Sequence, residues 1–163
     1  MKLFMRRIRN PFTEVCDYNC FGCSPNNQMG LKMEFFEDGE EIVSIWNPEH
    51  HFDGYINVLH GGIQSTLIDE IAYWTVLIKL KTSGVTARLD VRLKKPLYTN
   101  NGKIRLRAKL AELKGRVAII DVKIYNSEKE ICASAKVYYY TYPLEESIKS
   151  HSYPANYDVF FEN

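Results

Sequence analysis

Along this chain the spacing of apolar residues changes period twice, and each change predicts a new element. GLKMEFFEDGEEIVSIWN, from Gly30 to Asn47, predicts two strands joined around Asp38-Gly39, because an Asp-Gly pair accepts the positive φ that tight hairpins require. From Gly61 to about Lys81, a proline-free run rich in Ile, Leu, Ala, Trp and Val predicts one long helix. At about 100° per residue its apolar side chains point in almost every direction, so this helix has to be surrounded.

Strand patterns follow at once. In VTARLDVRLK the residues Val85, Ala87, Leu89, Val91 and Leu93 alternate with Thr86, Arg88, Asp90, Arg92 and Lys94, the period of a half-buried strand whose apolar set faces inward. KIRLRAKL repeats the alternation with Ile104, Leu106, Ala108 and Leu110 inward. RVAIIDVKIY and ICASAKVYYYTY supply two more strands, less strictly alternating. Short links at Leu113-Lys114-Gly115 and from Asn126 to Glu130 favour antiparallel neighbours. The expected fold is therefore α+β: a long central helix, inserted after the first hairpin, wrapped by an antiparallel sheet of about five or six strands. Residues 1–29, rich in turn residues and cysteine, read as a loop laid over a 30–143 core. The tail 144–163 is too aromatic for a solvated linker and is expected to dock.

Composition narrows the partners. With 163 residues and 45% apolar composition, the chain suits one domain with a continuous core. Its net charge is only +1, yet eleven Lys or Arg against three acids between Thr86 and Lys123 leave the remainder net negative. A local basic surface of this kind suits an anionic partner, whereas the overall balance speaks against nucleic-acid coating. The basic start MKLFMRRIRNPF is not followed by the apolar run of a secretory signal, and no stretch approaches the ~20 apolar residues of a membrane span. The expected setting is the cytoplasm, with reduced thiols. Cys16, Cys20 and Cys23 offer three ligands to zinc, with a histidine as the fourth, but structural zinc sites usually show two separated ligand pairs, so no metal is the expectation.

The chemistry concentrates in HGGIQSTLIDE, residues 60–70. Gly61 and Gly62 open the helix, where the first amides lack intrahelical acceptors and the dipole is positive. They suit either an oxyanion hole or a tight opening turn against the sheet, and local sequence favours the turn. Asp69 shares a helix face with Ser65, Ala72, Tyr73 and Val76, and Glu70 with Thr66, Trp74 and Leu77. An acid in such company is either a general base or nucleophile, or a structural carboxylate held by donors. Eight residues at 1.5 Å rise separate Gly61 from Asp69 by about 12 Å along the axis. One helix cannot bring both to one reacting group; two antiparallel copies can, and a symmetric dimer then carries two equivalent sites.

This ordered set resembles the hotdog-fold thioesterases, specifically the branch of phenylacetate-pathway and 4-hydroxybenzoyl-CoA enzymes. The residues concerned are His60-Gly61-Gly62, Asp69 eight positions on, Gly84-Val85-Thr86, and a strand ending at Pro96. Cys20-Phe21-Gly22-Cys23 with Pro25 and Gly30-Leu31 also looks like segments preceding the hotdog in some members. The resemblance implies hydrolysis of an acyl-CoA or acyl-carrier thioester by a homodimer, or by two dimers joined as a tetramer, without metal or redox cofactor. It implies Asp69 as base or nucleophile, the Gly61 amide polarising the carbonyl, Thr86 steadying the water or carboxylate, and His60 either near the thioester or orienting the helix start. Gly62, Ser65 and Tyr73 fall beside these positions and are candidates for substrate contact. Members often carry asparagine where this chain has Gly54, so Asn57 is a substitute candidate in a different register. Lys94 and Lys95, beside Pro96, are candidates for CoA phosphates, although alternation alone predicts a solvated face. Two other readings remain: a non-catalytic acyl-CoA-binding hotdog, and a dehydratase or hydratase, for which Ser65 stands about where an acid is needed.

Overall fold

The computed structural model describes residues 5–161; residues 1–4 of the basic start and 162–163 of the aromatic tail lie outside the described residues. Helix α1 (Gly61–Thr75) runs on into a π-helical turn, Val76–Leu80, and occupies the middle of the molecule. Leu67, Ile68, Ile71, Ala72, Val76 and Leu77 are fully buried, as a helix apolar on all sides demands. No helix among the described residues is long and apolar enough to cross a membrane.

One face of α1 lies on a seven-stranded antiparallel sheet. Its strands are β1 (Arg6–Ile8), β2 (Phe35–Asp38), β3 (Glu41–Trp46), β6 (Gly84–Leu93), β7 (Ile104–Lys114), β8 (Val117–Tyr125) and β9 (Ile131–Thr141). In space they follow the order β1-β2-β3-β7-β8-β9-β6. A separate hairpin, β4 (Asp53–Tyr55) and β5 (Val58–Leu59), leads into the helix. The β2–β3 turn places Gly39 at φ 59°, the left-handed conformation anticipated from Asp38-Gly39.

Two sequence expectations need correction. The alternating segments account for six strands, and the seventh, β1, lies in the stretch read as loop. Three residues are too few to show alternation; β1 forms because β2 offers a free edge, and pairing Ile8 with Phe35 buries Ile8. The second correction concerns phase in β6. Strict alternation points Val85 and Ala87 inward and Thr86 outward, but the register shifts between Thr86 and Arg88, making Ala87 the extra residue of a β-bulge. Thr86 therefore faces inward opposite buried Tyr139, while Val85 faces outward opposite Tyr140. Beyond the bulge, Leu89 returns to the inner phase opposite Val137.

The rest of α1 is covered by the two ends of the chain. Phe35 stacks on Trp74 at 4.7 Å, and Phe12 and Phe160 meet the same indole edge-on at 6.3 and 6.1 Å. The tail, with α2 (Leu144–Ser150), brings Tyr153 Oη to the Leu77 carbonyl (3.0 Å) and Tyr157 Oη to the Ile78 carbonyl (3.1 Å), supplying donors where the helix ends.

Phe35→Ala removes a fully buried ring from this cluster. It is expected to lower unfolding free energy by about 3–5 kcal/mol, read from chemical denaturation.

Candidate active site

The β4–β5 hairpin fixes where α1 begins. His60 N–H donates to the Phe52 carbonyl (3.0 Å), and Leu59 N–H to the Leu97 carbonyl (2.8 Å). His60 is the N-cap: its Nδ1 accepts from Gly62 N–H at 2.9 Å, leaving the ring proton on Nε2. The Gly62 amide is thereby occupied, while Gly61 N–H finds no acceptor among the described residues. A Cβ on Gly61 would meet Leu93 Cδ1 at 3.0 Å, so the far end of β6 lies against the helix start.

Gly54 stands where the resembled family often carries asparagine. A Cβ there would sit 2.8 Å from His60 Cδ2 and 3.0 Å from His60 Cα, so the capping ring occupies the space an asparagine needs. Asn57 does not replace it in register. It holds φ 59° in the hairpin turn, with its N–H on Asp53 Oδ2 (3.2 Å) and its carbonyl accepting from Thr99 N–H (2.9 Å). The Thr99 hydroxyl, 2.7 Å from Asp53 Oδ1, holds the Asp53 carboxyl below the usual carboxylate range.

Two turns along the helix, Asp69 is half-buried and clamped from the sheet. Its Oδ1 accepts from Thr86 Oγ1 at 2.8 Å and from Tyr139 Oη at 2.6 Å. The same phenol lies 3.0 Å from the Asp69 carbonyl. Oδ2 has no hydrogen-bond partner among the described residues. The bulge at Ala87 is what aims Thr86 at this carboxylate. Tyr139 is the residue of the candidate site that sequence reasoning missed. Burial, with the Asp69 charge second, pushes its phenol above the usual range, so it remains a proton donor to Asp69. On β9, Val137, Tyr139 and Thr141 share one phase, and all three are buried.

Other candidates are placed differently. Ser65 Oγ donates back to the Gly61 carbonyl at 3.0 Å, a bond within the helix. Tyr73 stacks on Tyr139 at 5.9 Å and 22°. Lys95 is paired with Glu130 at 2.8 Å. Lys94 lines a hollow of about 530 Å³ with Arg92, Lys109 and Lys123 of the basic segment; Glu41, Asp90 and Asp121 share the lining, and Lys136 there is paired with Asp121 at 2.8 Å.

Glu70 points elsewhere. It accepts from Trp74 Nε1 at 3.2 Å and lies 3.6 Å from Cys20 Sγ, and burial pushes its carboxyl up to about 7. The three-cysteine cluster read from sequence is corrected here. Cys16 is exposed, and only Cys20 and Cys23 converge with this acid, because the turn after Tyr18 carries them over the helix while Cys16 stays outside.

A free carboxylate oxygen beside a glycine-opened helix is the setting in which comparison with known proteins becomes informative. Residues 56–133, just under half the chain, match the model described as the thioesterase superfamily. The core has the hotdog fold. Among solved structures, a thioesterase superfamily protein superposes with a TM-score of 0.65 at 19% identity, covering 71% of this chain and 57% of that one. The chain thus spans little more than half of that protein. A thioesterase from Haemophilus influenzae gives 0.64 at 20% identity, with 70% and 80% covered. A hypothetical thioesterase with coenzyme A from Streptococcus pneumoniae gives 0.60 at 21%, with 64% and 83% covered. At such identities the likeness is one of hotdog fold. No curated protein matches the chain.

Within this hotdog, the Tyr139–Asp69 bond is open to direct measurement. Tyr139→Phe is expected to cost about 1.5–3 kcal/mol, as for a hydrogen bond to a charged group. In a double-mutant cycle with Asp69→Asn the two losses should fail to add by about 0.5 kcal/mol or more, read from denaturation midpoints.

Proposed function

We propose that this hotdog is an acyl-CoA thioesterase of the phenylacetate-pathway type, with Asp69 as general base. The observation that carries the reading is the Asp69 carboxylate itself, held through Oδ1 by Thr86 and Tyr139 with Oδ2 left open. An acid fixed through one oxygen keeps its orientation while the other takes a proton. In the proposed step Oδ2 accepts a proton from water as that water adds to the thioester carbonyl. The oxyanion is held by the Gly61 amide of a second copy, the carbon–sulfur bond breaks, and the CoA sulfur leaves with the proton returned by Asp69. The products are a carboxylic acid and free CoA.

The need for a second copy follows from the ~12 Å of helix between Gly61 and Asp69. Strand β6 supports it. It forms an end of the sheet over ten residues and exposes Val85, Leu89 and Leu93 at 45%, 39% and 51%. A long edge of this kind is a pairing surface. An antiparallel β6–β6 pairing would extend the sheet and set the two central helices side by side.

The substrate class rests on two supports. The Streptococcus pneumoniae neighbour was crystallised with coenzyme A. On this chain, Lys94 and its basic neighbours offer charge for CoA phosphates, whereas Lys95 is already engaged by Glu130. The setting we propose is cytoplasmic, where thiols stay reduced.

Thiol release from a panel of short, aryl and long acyl-CoAs tests the activity. Wild type should turn over at least one class, and Asp69→Asn should lose about 10²–10⁴ in kcat while retaining CoA binding. Absence of wild-type turnover across the panel, with CoA still bound, would make the protein a binding module instead.

Light scattering tests the assembly: a particle of at least twice the 19.0 kDa chain mass is expected. A monomer at working concentration would remove the Gly61 donor from the scheme.

A further inference from the structure

Cys20-Phe21-Gly22-Cys23 takes no part in the proposed thioester chemistry, yet it delivers two thiols to a half-buried acid. Cys20 Sγ lies 3.6 and 3.7 Å from the two Glu70 oxygens. The ligand atoms of Cys20, Cys23 and Glu70 all fall within 4.8 Å of one another. No Lys or Arg lines the adjoining cavity of about 250 Å³, whose walls include Phe12, Tyr73 and Trp74. An acid and two thiols therefore converge on one point beside apolar walls, a donor set suited to a soft cation.

We propose that Cys20 Sγ, Cys23 Sγ and one Glu70 oxygen bind a thiophilic divalent cation of the zinc class. Tetrahedral zinc with sulfur at about 2.3 Å and oxygen at about 2.0 Å sets sulfur–oxygen contacts near 3.5 Å and sulfur–sulfur contacts near 3.8 Å. The two Cys20 sulfur–oxygen distances, 3.6 and 3.7 Å, lie close to that edge length. Two sulfurs in the donor set disfavour magnesium or calcium.

Surrounding bonds orient the donors as ligands require. Tyr18 Oη is 2.8 Å from Cys23 Sγ, and Asn10 Nδ2 donates to Tyr18 Oη at 3.2 Å. Trp74 Nε1 fixes Glu70 Oε1, leaving Oε2 for the cation. Gly22 packs directly on the Glu70 side chain, where a Cβ would overlap the carboxyl end. Three protein ligands leave a fourth position, which opens on the cavity shared with His151 and takes water. The bound ion would staple the N-terminal segment to the helical turn that carries Asp69.

The test uses full-length protein, reduced and stripped with chelator, titrated with zinc against a chromophoric competitor. One equivalent per chain is expected, and cobalt in its place should give a sulfur-to-metal charge-transfer band. Cys20→Ser and Glu70→Gln should each weaken binding by more than the ~10- to 100-fold typical of losing an outer-shell partner, the range expected for Tyr18→Phe. Cys16→Ser should change nothing. Should the ligand variants fail to fold, the wild-type stoichiometry and cobalt spectrum still decide. No bound equivalent, a cobalt spectrum without sulfur character, or unchanged affinity in folded Cys20→Ser would overturn the proposal. So would failure of zinc to bind while Cys20 and Cys23 vanish together from thiol titration in a glutathione buffer, which would mark a dithiol–disulfide pair. None of these readouts involves acyl-CoA turnover, so this proposal and the thioesterase reading fail separately.

Discussion

Helix α1 must lose contact with water on every side, and the architecture is arranged around that requirement. A sheet covers only one face of a helix. β3, β6, β7, β8 and β9 take that face, and the opposite side is left to whatever chain remains. The N-terminal segment and the tail meet the need by converging on Trp74 through Phe12 and Phe160, beside Phe35 of β2. Both ends of the chain thus act as core, and the tail's tyrosines also satisfy the carbonyls that the helix leaves open at its end.

The same enclosure explains why two consecutive acids have unlike surroundings. Neighbouring residues on a helix diverge by about 100°, so Asp69 and Glu70 cannot face the same covering. Asp69 turns to the sheet margin, where β6 and β9 supply two hydroxyl donors and leave the site partly open to solvent. Glu70 turns under the N-terminal segment, where an indole N–H and thiols are its partners and burial favours the protonated carboxyl. Sequence can say that both acids sit in a greasy helix; the covering decides which one keeps an open oxygen at the sheet margin.

What was legible followed from period. The all-round apolar run of α1, the Asp38-Gly39 hairpin and the alternation in β7 each appear where the pattern puts them, because each repeats its signal over many residues. The features that were missed are short or break phase. β1 is three residues long, and the bulge at Ala87 reverses the inward set of β6 at Val85 and Thr86. Family resemblance makes Thr86 a candidate site residue, whereas strict alternation points it outward. The bulge reconciles the two, since one extra residue rotates Thr86 toward Asp69 and still returns Leu89 to the core side. Tyr139 escaped notice because VYYYTY presents aromatics on both faces of β9, and composition alone does not say which phenol is buried.

The bulge also bears on why assembly belongs to the site under the thioesterase reading. A donor at the helix start and an acid two turns later are held apart by the rigid rise of one helix, and no side-chain rotation closes about 12 Å. Flexing the chain would not serve either, because α1 is fixed by burial along its length. Only a second helix start can reach Asp69, and it must arrive past the sheet margin where Thr86 and Tyr139 hold the carboxylate. β6 is that margin. A bulge near one end turns Thr86 inward without consuming the outer ladder of the strand, so the same ten residues both orient the acid and remain able to pair with a copy of themselves. In this arrangement the catalytic geometry and the sheet edge are a single feature, and a change that blunts the edge would disarm the site even with every proposed catalytic side chain intact.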